Sequence, residues 1–436
     1  MRADTIFALS TAPGRAGVAL IRVSGPESGA ALKALAGSVP PPRHAHLCDL
    51  FDTETKESLD QGLVLWFPGP KSFTGEDVAE FHIHGGRATV ESVLEALARV
   101  PGLRPAEPGE FTRRAFETGR LDLAQVEGLA DLIDAETAAQ RKQALRQMEG
   151  GLSDLVGAWR KVLVGLMAQV AADIDFPDED DVPGGLTAKA RPGITGLRAE
   201  LEEQLAKGEK ARRLRRGLEV AILGAPNAGK SSLLNALAGR EAAIVSAQAG
   251  TTRDVVEVHM DLAGYPVTLA DTAGLRETAE EIESEGIRRA LARAADADLR
   301  LVLFDAQLPP DEIAKREVRE GDIVVISKAD LNKDTPAEFL RVSTATGEGL
   351  AALEARLADE VVARAGLSET PAITRARHRR ALEDAIAALH RAETQEEAEL
   401  CGEDLRLAAR ALERILGKVD VEDLLDVIFS EFCIGK

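Results

Sequence analysis

Residues 218–232 read L-E-V-A-I-L-G-A-P-N-A-G-K-S-S, an apolar run that leads into the pattern G-x-x-x-x-G-K-[ST]. Between a strand and a helix, this pattern forms a loop whose backbone N–H groups converge on phosphate oxygens. The start of the helix adds a favourable dipole. Lys230 would reach the outer phosphates, and the Ser231 hydroxyl would bind Mg²⁺. We therefore predict a nucleoside triphosphate site formed by Asn227, Ala228, Gly229, Lys230, Ser231 and Ser232.

The composition is that of a soluble globular protein, with 45% hydrophobic residues among 436 and a net charge of −20. This length suggests about two to four domains. The charge argues against non-specific binding of nucleic acid over the whole surface. Cys48, Cys401 and Cys433 form neither a disulfide framework nor a metal-binding pattern. With no apolar run near the ~18 residues that cross a membrane, and no leader in residues 1–9, we expect a cytoplasmic protein without a membrane partner.

The spacing of apolar residues changes along the chain. Residues 1–117 alternate strand-like runs with helical stretches, whereas long helical periodicity runs from Leu121 to Gly150 and beyond. Alternating strands and helices follow from about residue 217, and amphipathic helices return from Ala376. We predict a multidomain fold with an N-terminal α/β domain (1–117), an all-α helical domain in two parts (118–214 and 368–436), and an α/β nucleotide domain inserted between those parts (215–367). Two separate helical domains are the alternative.

Short motifs after the phosphate loop indicate a guanine nucleotide. D-T-A-G at 271–274 follows an apolar run, and an acid at a strand end can hold Mg²⁺ through water. S-K-A-D at 327–330 ends another run, and the Asp330 carboxylate can accept two N–H groups that guanine has and adenine lacks. Each motif is weak alone, but their order predicts a Ras-like P-loop GTPase domain. The further predicted nucleotide contacts are Ser246, Thr251, Thr252, Asp271, Thr272, Ala273, Gly274, Lys328, Asp330, Ser343, Thr344 and Ala345, with Thr252 as a second Mg²⁺ ligand.

Two positions depart from the usual GTPase pattern. Ser327 stands where an Asn usually precedes the Lys, and it lacks the amide that braces the neighbouring loop and the base. We therefore predict weakened guanine affinity with retained specificity. Leu275 stands where small signalling GTPases carry a Gln that orients water. Because an aliphatic side chain cannot position a nucleophile, hydrolysis needs another group.

Longer motifs, spread over essentially the whole chain, carry a family resemblance. They include A-P-G-R-A-G-V (12–18), S-F-T-G-E-D (72–77), H-G-G (84–86), P-G-E-F (108–111), L-D-L-A-Q (121–125), D-F-P-D-E (175–179) and F-C-I-G-K (432–436). Together they resemble the MnmE (TrmE) family of tRNA-modification GTPases. The resemblance implies an N-terminal domain similar to folate-binding domains, which forms a homodimer, followed by a helical domain that the GTPase domain interrupts.

The resemblance also implies partners and cofactors. With MnmG (GidA), in a complex of the heterotetramer type, such proteins place an aminomethyl or carboxymethylaminomethyl group on C5 of the wobble uridine of certain tRNAs. The carbon comes from 5-formyl- or methylene-tetrahydrofolate. GTP hydrolysis, with Mg²⁺ and K⁺, drives a conformational change, and the GTPase domains are expected to dimerise across their switch faces.

Site residues follow from the same resemblance. The implied K⁺ ligands are Asn227, Ser246, Gln248 and Thr251. This cation would supply the positive charge that an arginine supplies elsewhere. Glu283 matches the position that orients the attacking water, and with Lys230 and Cys433 it forms the predicted catalytic set. The implied folate ligands are Arg22, Glu80, Arg120 and Lys436, where Arg120 replaces the Lys common in the family.

Other readings of the sequence stay open. A ribosome-assembly GTPase without modification chemistry would share the nucleotide domain, and a scaffold that uses GTP only to dimerise is a third reading. Two basic stretches, at 207–216 and 375–380, are candidate RNA contacts or ordinary helix-surface charge. With only 3% aromatic residues to stack on bases, most of the tRNA affinity would come from the partner protein.

Overall fold

The computed structural model describes residues 4–175, 185–225, 227–240, 243, 257–271, 295, 297–308, 318–332, 339–365, 373–419, 422–430, 432 and 434–435. Two compact units divide the chain. The first contains Met1–Ala130 and Leu412–Lys436, and the second contains Asp131–Ala411. The predicted limits of the domains stay predictions.

The first unit is built on a six-stranded sheet. Its strands are β1 (Thr5–Leu9), β2 (Ala16–Ser24), β3 (His46–Phe51), β4 (Ser58–Phe67), β5 (Val78–Gly85) and β6 (Leu103–Pro105). They lie in the order β3-β4-β5-β2-β1-β6, antiparallel except for the parallel pair β1–β6. The helices are α1 (Ser28–Ala36), α2 (Arg87–Ala98) and α3 (Glu110–Glu117). The strand-like runs of the sequence lie in β2, β4 and β5.

The two faces of this sheet differ because side chains alternate along each strand. Ile21, Phe81 and Ile83 belong to a buried core with α1 and α2. Arg22 follows Ile21 on β2, and Glu80 precedes Phe81 on β5. Both therefore point to the opposite face, which we call the open face. A helix near the C-terminal end, α12 (Glu422–Ser430), packs on α3 through rings of Phe116 and Phe429 that lie 6.3 Å apart.

Long helices make up much of the second unit. They are α5 (Ala138–Met148), α6 (Gly151–Asp175), α7 (Leu186–Arg216) and α10 (Ala376–Thr394). Two more helices, α4 (Leu123–Asp134) and α11 (Ala398–Ile415), cross the boundary between the units. The helical periodicity of 121–150 is interrupted between α4 and α5. Thr137 caps α5 through a capping box with Gln140, and this starts a new helix.

Helix α6 is the single helix of the described ranges that is long and apolar enough to cross a membrane by length and composition. The sequence prediction named no such run, since Arg160 and Lys161 interrupt the apolar residues of this helix. Leu152, Val156, Trp159, Leu163, Leu166 and Val170 form its buried stripe. The Trp159 indole N–H donates to Glu200 on α7 (2.9 Å), so the buried stripe of α6 faces α7 at this point.

A second six-stranded sheet forms the nucleotide module. Its strands are β7 (Leu218–Gly224), β8 (Glu257–Leu262), β9 (Tyr265–Asp271), β10 (Leu299–Asp305), β11 (Ile323–Ser327) and β12 (Leu340–Arg341), in the order β12-β11-β10-β7-β9-β8. All neighbours are parallel except β8 and β9. Helices α8 (Lys230–Ala238) and α9 (Leu350–Ala365) accompany the sheet. Its central strands are apolar on both faces, as parallel strands require.

The chain enters and leaves this module at one place. Oδ1 of Asp131 accepts hydrogen bonds from Arg215, at the end of α7, and from Arg375, before α10 (2.8 and 2.7 Å). Asp298, at the start of β10, pairs with Arg213 and Arg216. The module is therefore inserted into the helical part of the chain, and the predicted fold class is confirmed.

Candidate functional site

The carboxyl ends of parallel strands meet at one edge of the second sheet. β7, β9, β10 and β11 run in the same direction, so the residues that follow them gather there. Ligands of open α/β sheets bind at this edge. The phosphate loop follows β7, and the S-K-A-D segment ends β11.

The phosphate loop has the backbone geometry that its sequence predicts. Asn227 and Gly229 adopt left-handed φ angles of 65° and 94°, which turn the chain into α8 at Lys230. The Lys230 ammonium donates to the carbonyl oxygens of Gly224 and Ala225 (2.6 and 2.9 Å) and is largely buried. A lysine held inside the loop, at a helix N-terminus, fits an anionic phosphate ligand. Ser231 and Ser232 follow in the first turn of α8.

The two segments predicted to contact the base also lie together. The Ala329 N–H donates to the carbonyl of Val342 (3.2 Å), which joins the loop of Lys328 and Asp330 to the loop that begins at Ser343. Ser343 is buried and accepts from the N–H of Thr346, whereas Thr344 and Ala345 are exposed. The arrangement suits a base-binding slot of backbone and carboxylate groups.

Ser327 does brace the phosphate loop, contrary to expectation. Its buried hydroxyl donates to the carbonyl oxygen of Ala228 (2.5 Å) and lies 3.2 Å from that of Phe304. A short side chain suffices because β11 and the loop approach closely at this point. The expected loss of the brace was therefore wrong, while the predicted effect on guanine affinity stays a prediction.

Asp305 was missed by sequence reasoning. It ends β10, accepts a hydrogen bond from the Lys328 ammonium (2.6 Å), and so fixes that side chain beside the base loop. Burial raises the pKa of Asp305, but the bonds from Lys328 and from the N–H of Gln307 outweigh it and lower the pKa below its usual value. An acid directly after the apolar run of β10 was the available signal.

Several predicted residues lie outside the described ranges. They are Ser246, Gln248, Thr251, Thr252, Thr272, Ala273, Gly274, Glu283, Cys433 and Lys436. Leu275 is also outside, and Asp271 is described only as the last residue of β9. Of the predicted metal ligands, the structure therefore places Ser231 and Asn227 alone.

A second candidate site lies on the open face of the first sheet. Arg22 and Glu80 are opposite each other on β2 and β5. Nε and Nη2 of Arg22 donate to Oε1 of Glu80 (3.1 and 2.9 Å). The Arg22 guanidinium lies over the rings of Phe73 and Phe111, 5.3 and 6.0 Å from their centroids. Arg22 and Glu80, two of the predicted folate ligands, are therefore in contact although 58 positions separate them in the sequence.

Of the other two predicted folate ligands, Arg120 belongs to the described residues and Lys436 does not. Arg120 is exposed and passes beside Gly75, at which an added Cβ would lie 3.3 Å from the Arg120 side chain. The Ser10 hydroxyl donates to the carbonyl of Gly435 (3.0 Å), so the C-terminal tail reaches the end of β1. Gly435 has a φ of 96° and packs against Leu9, where only glycine fits.

A buried ion network supports the open face. Arg114, 1% exposed, pairs with Asp4, Glu76 and Glu110. Arg104 adds ion pairs to Asp4 and Glu110. Burial raises the pKa of Glu110, but its bonds from Arg104, the N–H of Glu107 and Arg114 lower it to about 2. The network joins β1, the 72–77 loop and α3, and the lowered pKa of Glu110 keeps that carboxylate charged at neutral pH.

Comparison with known proteins identifies the family. Residues 123–433 match the family model "MnmE helical domain", and residues 5–120 match "GTP-binding protein TrmE N-terminus". The tRNA modification GTPase MnmE of Parvibaculum lavamentivorans is 59% identical, with 99% of this chain and 100% of that protein covered. The proteins of the same name from Paramagnetospirillum magneticum and Phenylobacterium zucineum are 56% and 54% identical, with the same coverage.

These matches span both units, and the site geometry agrees with them. The inserted sheet carries a formed phosphate loop, and the predicted enzyme class, a GTP hydrolase, is that of the family. The chain therefore belongs to the MnmE family of tRNA modification GTPases.

Proposed function

We propose that this protein binds GTP at the carboxyl edge of its second sheet and uses GTP hydrolysis to modify C5 of the wobble uridine in certain tRNAs. The observation that carries the nucleotide site is the contact of Ser327 with Ala228, since it joins the base loop to the phosphate loop. The product would be an aminomethyl or carboxymethylaminomethyl group, formed together with MnmG in the cytoplasm.

The described residues fit a metal-bound triphosphate. The Lys230 ammonium and the N-terminus of α8 offer positive charge to the outer phosphates, and the Ser231 hydroxyl would hold Mg²⁺ together with Thr252. The amide oxygen of Asn227 would hold K⁺ with the segment from Ser246 to Thr251. These cations would supply positive charge to the reacting phosphates. Glu283 would orient the attacking water.

The open face of the first sheet would take the folate cofactor. A folate carries carboxylates on its glutamate tail and N–H donors on its pterin edge. Arg22, Arg120 and Lys436 suit the first, and Glu80 suits the second. Solvent reaches the Arg22–Glu80 pair, with side-chain exposures of 18% and 14%. A role for the Cys433 thiol in the modification chemistry rests on the family resemblance alone.

A homodimer is the proposed assembly. Val18, Leu47 and Leu63 expose 57%, 61% and 39% of their surface on the first sheet. Leu47 and Leu63 are opposite each other on β3 and β4, so they form one patch. An exposed apolar patch of this kind favours contact with a second copy of the chain.

The GTPase rate measured in K⁺ and in Na⁺ tests the cation assignment. We expect faster hydrolysis in K⁺ and tighter binding of GTP than of ATP. Equal affinities for the two nucleotides would overturn the guanine site, and equal rates in the two salts would overturn the K⁺ site.

Nucleoside analysis of tRNA from a strain that lacks the protein tests the modification. In that strain we expect the C5 group of the wobble uridine to disappear. A strain with Cys433→Ser should contain less of the modified uridine, and an unchanged amount would exclude a role of the thiol in the chemistry. Unchanged wobble uridines would favour a ribosome-assembly GTPase instead.

A further inference from the structure

Strand β5 brings a histidine beside the Arg22–Glu80 pair. Glu80 and His82 are two residues apart on one strand, so both side chains point to the open face, while Phe81 and Ile83 point into the core. His82 is opposite Leu63 on β4. Its side chain is 30% exposed in a single chain, on the face that also carries the Leu47–Leu63 patch.

The two oxygens of Glu80 have different partners. Oε1 accepts both bonds from Arg22, and Oε2 lies 3.3 Å from Nε2 of His82. A carboxylate oxygen accepts about two hydrogen bonds. Oε1 therefore has no further lone pair for a ligand, whereas Oε2 keeps one beside the His82 ring.

The charge of the Glu80 carboxyl group is set by its surroundings. Burial raises the pKa of Glu80, but the bonds from His82 and Arg22 outweigh it and lower the pKa below its usual value. The carboxylate is therefore charged at neutral pH and only accepts hydrogen bonds. Nε2 of His82 must then carry the hydrogen and donate it.

Arg22 alone leaves the plane of the carboxylate undetermined. Its guanidinium rests over Phe73 and Phe111 and holds a single oxygen, about which the carboxylate could turn. A second donor at Oε2 removes this freedom. Within the described residues, His82 is the side chain that bonds Oε2.

We propose that His82 is a positioning residue of the folate site: it holds Oε2 of Glu80 so that the remaining lone pair accepts an N–H of the pterin edge. This inference rests on the proposed folate function. The ligand class it selects is a ring with an amino group beside a ring N–H, and the selectivity comes from the orientation of one carboxylate.

Calorimetric titration of the full-length protein with 5-formyltetrahydrofolate tests this proposal. We expect His82→Ala to weaken binding about 10-fold, the loss of one charge-assisted hydrogen bond. His82→Gln, whose amide can donate to the same oxygen, should restore most of the affinity. His46→Ala, the same change at an exposed position of β3, should bind like the unchanged protein. Thermal unfolding of each variant checks that it is folded.

An analogue of the same folate without its 2-amino group separates positioning from a general structural effect. His82→Ala should cost less affinity with this analogue, because the donor that needs an oriented carboxylate is gone. Equal losses with both ligands would mean that His82 only supports the fold, and would overturn the proposal. Unchanged binding by His82→Ala would also overturn it, leaving the folate site intact. No binding by the unchanged protein would overturn the folate function and this inference together.

Discussion

The two candidate sites use six-stranded sheets in opposite ways. The nucleotide site lies at the edge of a parallel sheet, where loops of consecutive residues turn back over the strand ends. The Arg22–Glu80 site lies on the face of an antiparallel sheet, where its side chains come from two neighbouring strands, β2 and β5. The first is held by loop backbone and one hydroxyl, and the second by a network of charged side chains.

This difference sets what each site depends on. Removing one hydroxyl from the edge site changes a loop by a small distance, because the parallel strands beneath it remain. Removing Arg114 from the network under the open face leaves the Glu76 carboxylate, which is mostly buried, without its ion-pair partner. The open face should therefore be more sensitive to a single substitution, and to acid, than the nucleotide edge.

Arg114→Ala should have the largest effect. Glu76 would lose its charged partner and Glu110 would keep only Arg104, so we expect a loss of about 3–5 kcal/mol of unfolding free energy, as when one partner of a buried pair is removed. The chain has two tryptophans, Trp66 in the first unit and Trp159 in the second. Urea unfolding followed by fluorescence in a Trp159→Phe background therefore reports on the first unit.

The neighbouring arginine provides the control for this measurement. Arg113 is 32% exposed and pairs with Glu117 and Asp426, so Arg113→Ala should cost at most about 1 kcal/mol. Nucleotide affinity should be unchanged in both variants. Similar losses at positions 113 and 114 would contradict the dependence of the open face on the buried network.

Acid should also destabilise the first unit. The folded pKa of Glu110 is about 2, below its usual value of 4.5. Its stabilising contribution is therefore complete above pH 4.5 and is lost as the pH falls towards 2. Urea unfolding followed by Trp66 should show a free energy that decreases over this range, by at most about 1.4 kcal/mol per pH unit from this group. Glu110→Gln should flatten the dependence, and an equal slope in that variant would assign it to other carboxylates.

The edge site could be predicted from sequence because its residues are consecutive. Lys230 and Ser231 follow a strand within one motif, and Lys328 and Asp330 follow another. Local rules for strand ends and glycine-rich turns then suffice to place them. The left-handed φ of Asn227 shows how far the motif specifies the backbone. The hydroxyl contact of Ser327 could not be predicted, since it depends on how closely two loops approach.

The open face could be predicted only in part. Arg22 and Glu80 came from a family resemblance, and no local pattern marks His82, whose relation to Arg22 depends on the register of β2 and β5. The basic stretch at the end of α7 shows the same limit. Its arginines were candidates for RNA contact, yet Arg215 bonds Asp131, 84 residues away, and Arg216 bonds Asp298, 82 residues away. Partners at such separations are set by tertiary packing.

Ser327→Ala should have the smallest of these effects, and it is confined to the nucleotide edge. Without the hydroxyl, the buried carbonyl of Ala228 loses its donor, which costs about 1–3 kcal/mol. Titration with a fluorescent GDP analogue should show affinity weakened about 10-fold or more, with the Trp66 unfolding curve unchanged. Ser430→Ala, which removes an exposed hydroxyl in α12, is the matched control. Ser327→Asn then decides what the amide adds: tighter binding than Ser327 supports the predicted weakness of this guanine site, and equal binding shows that one hydroxyl does the same work.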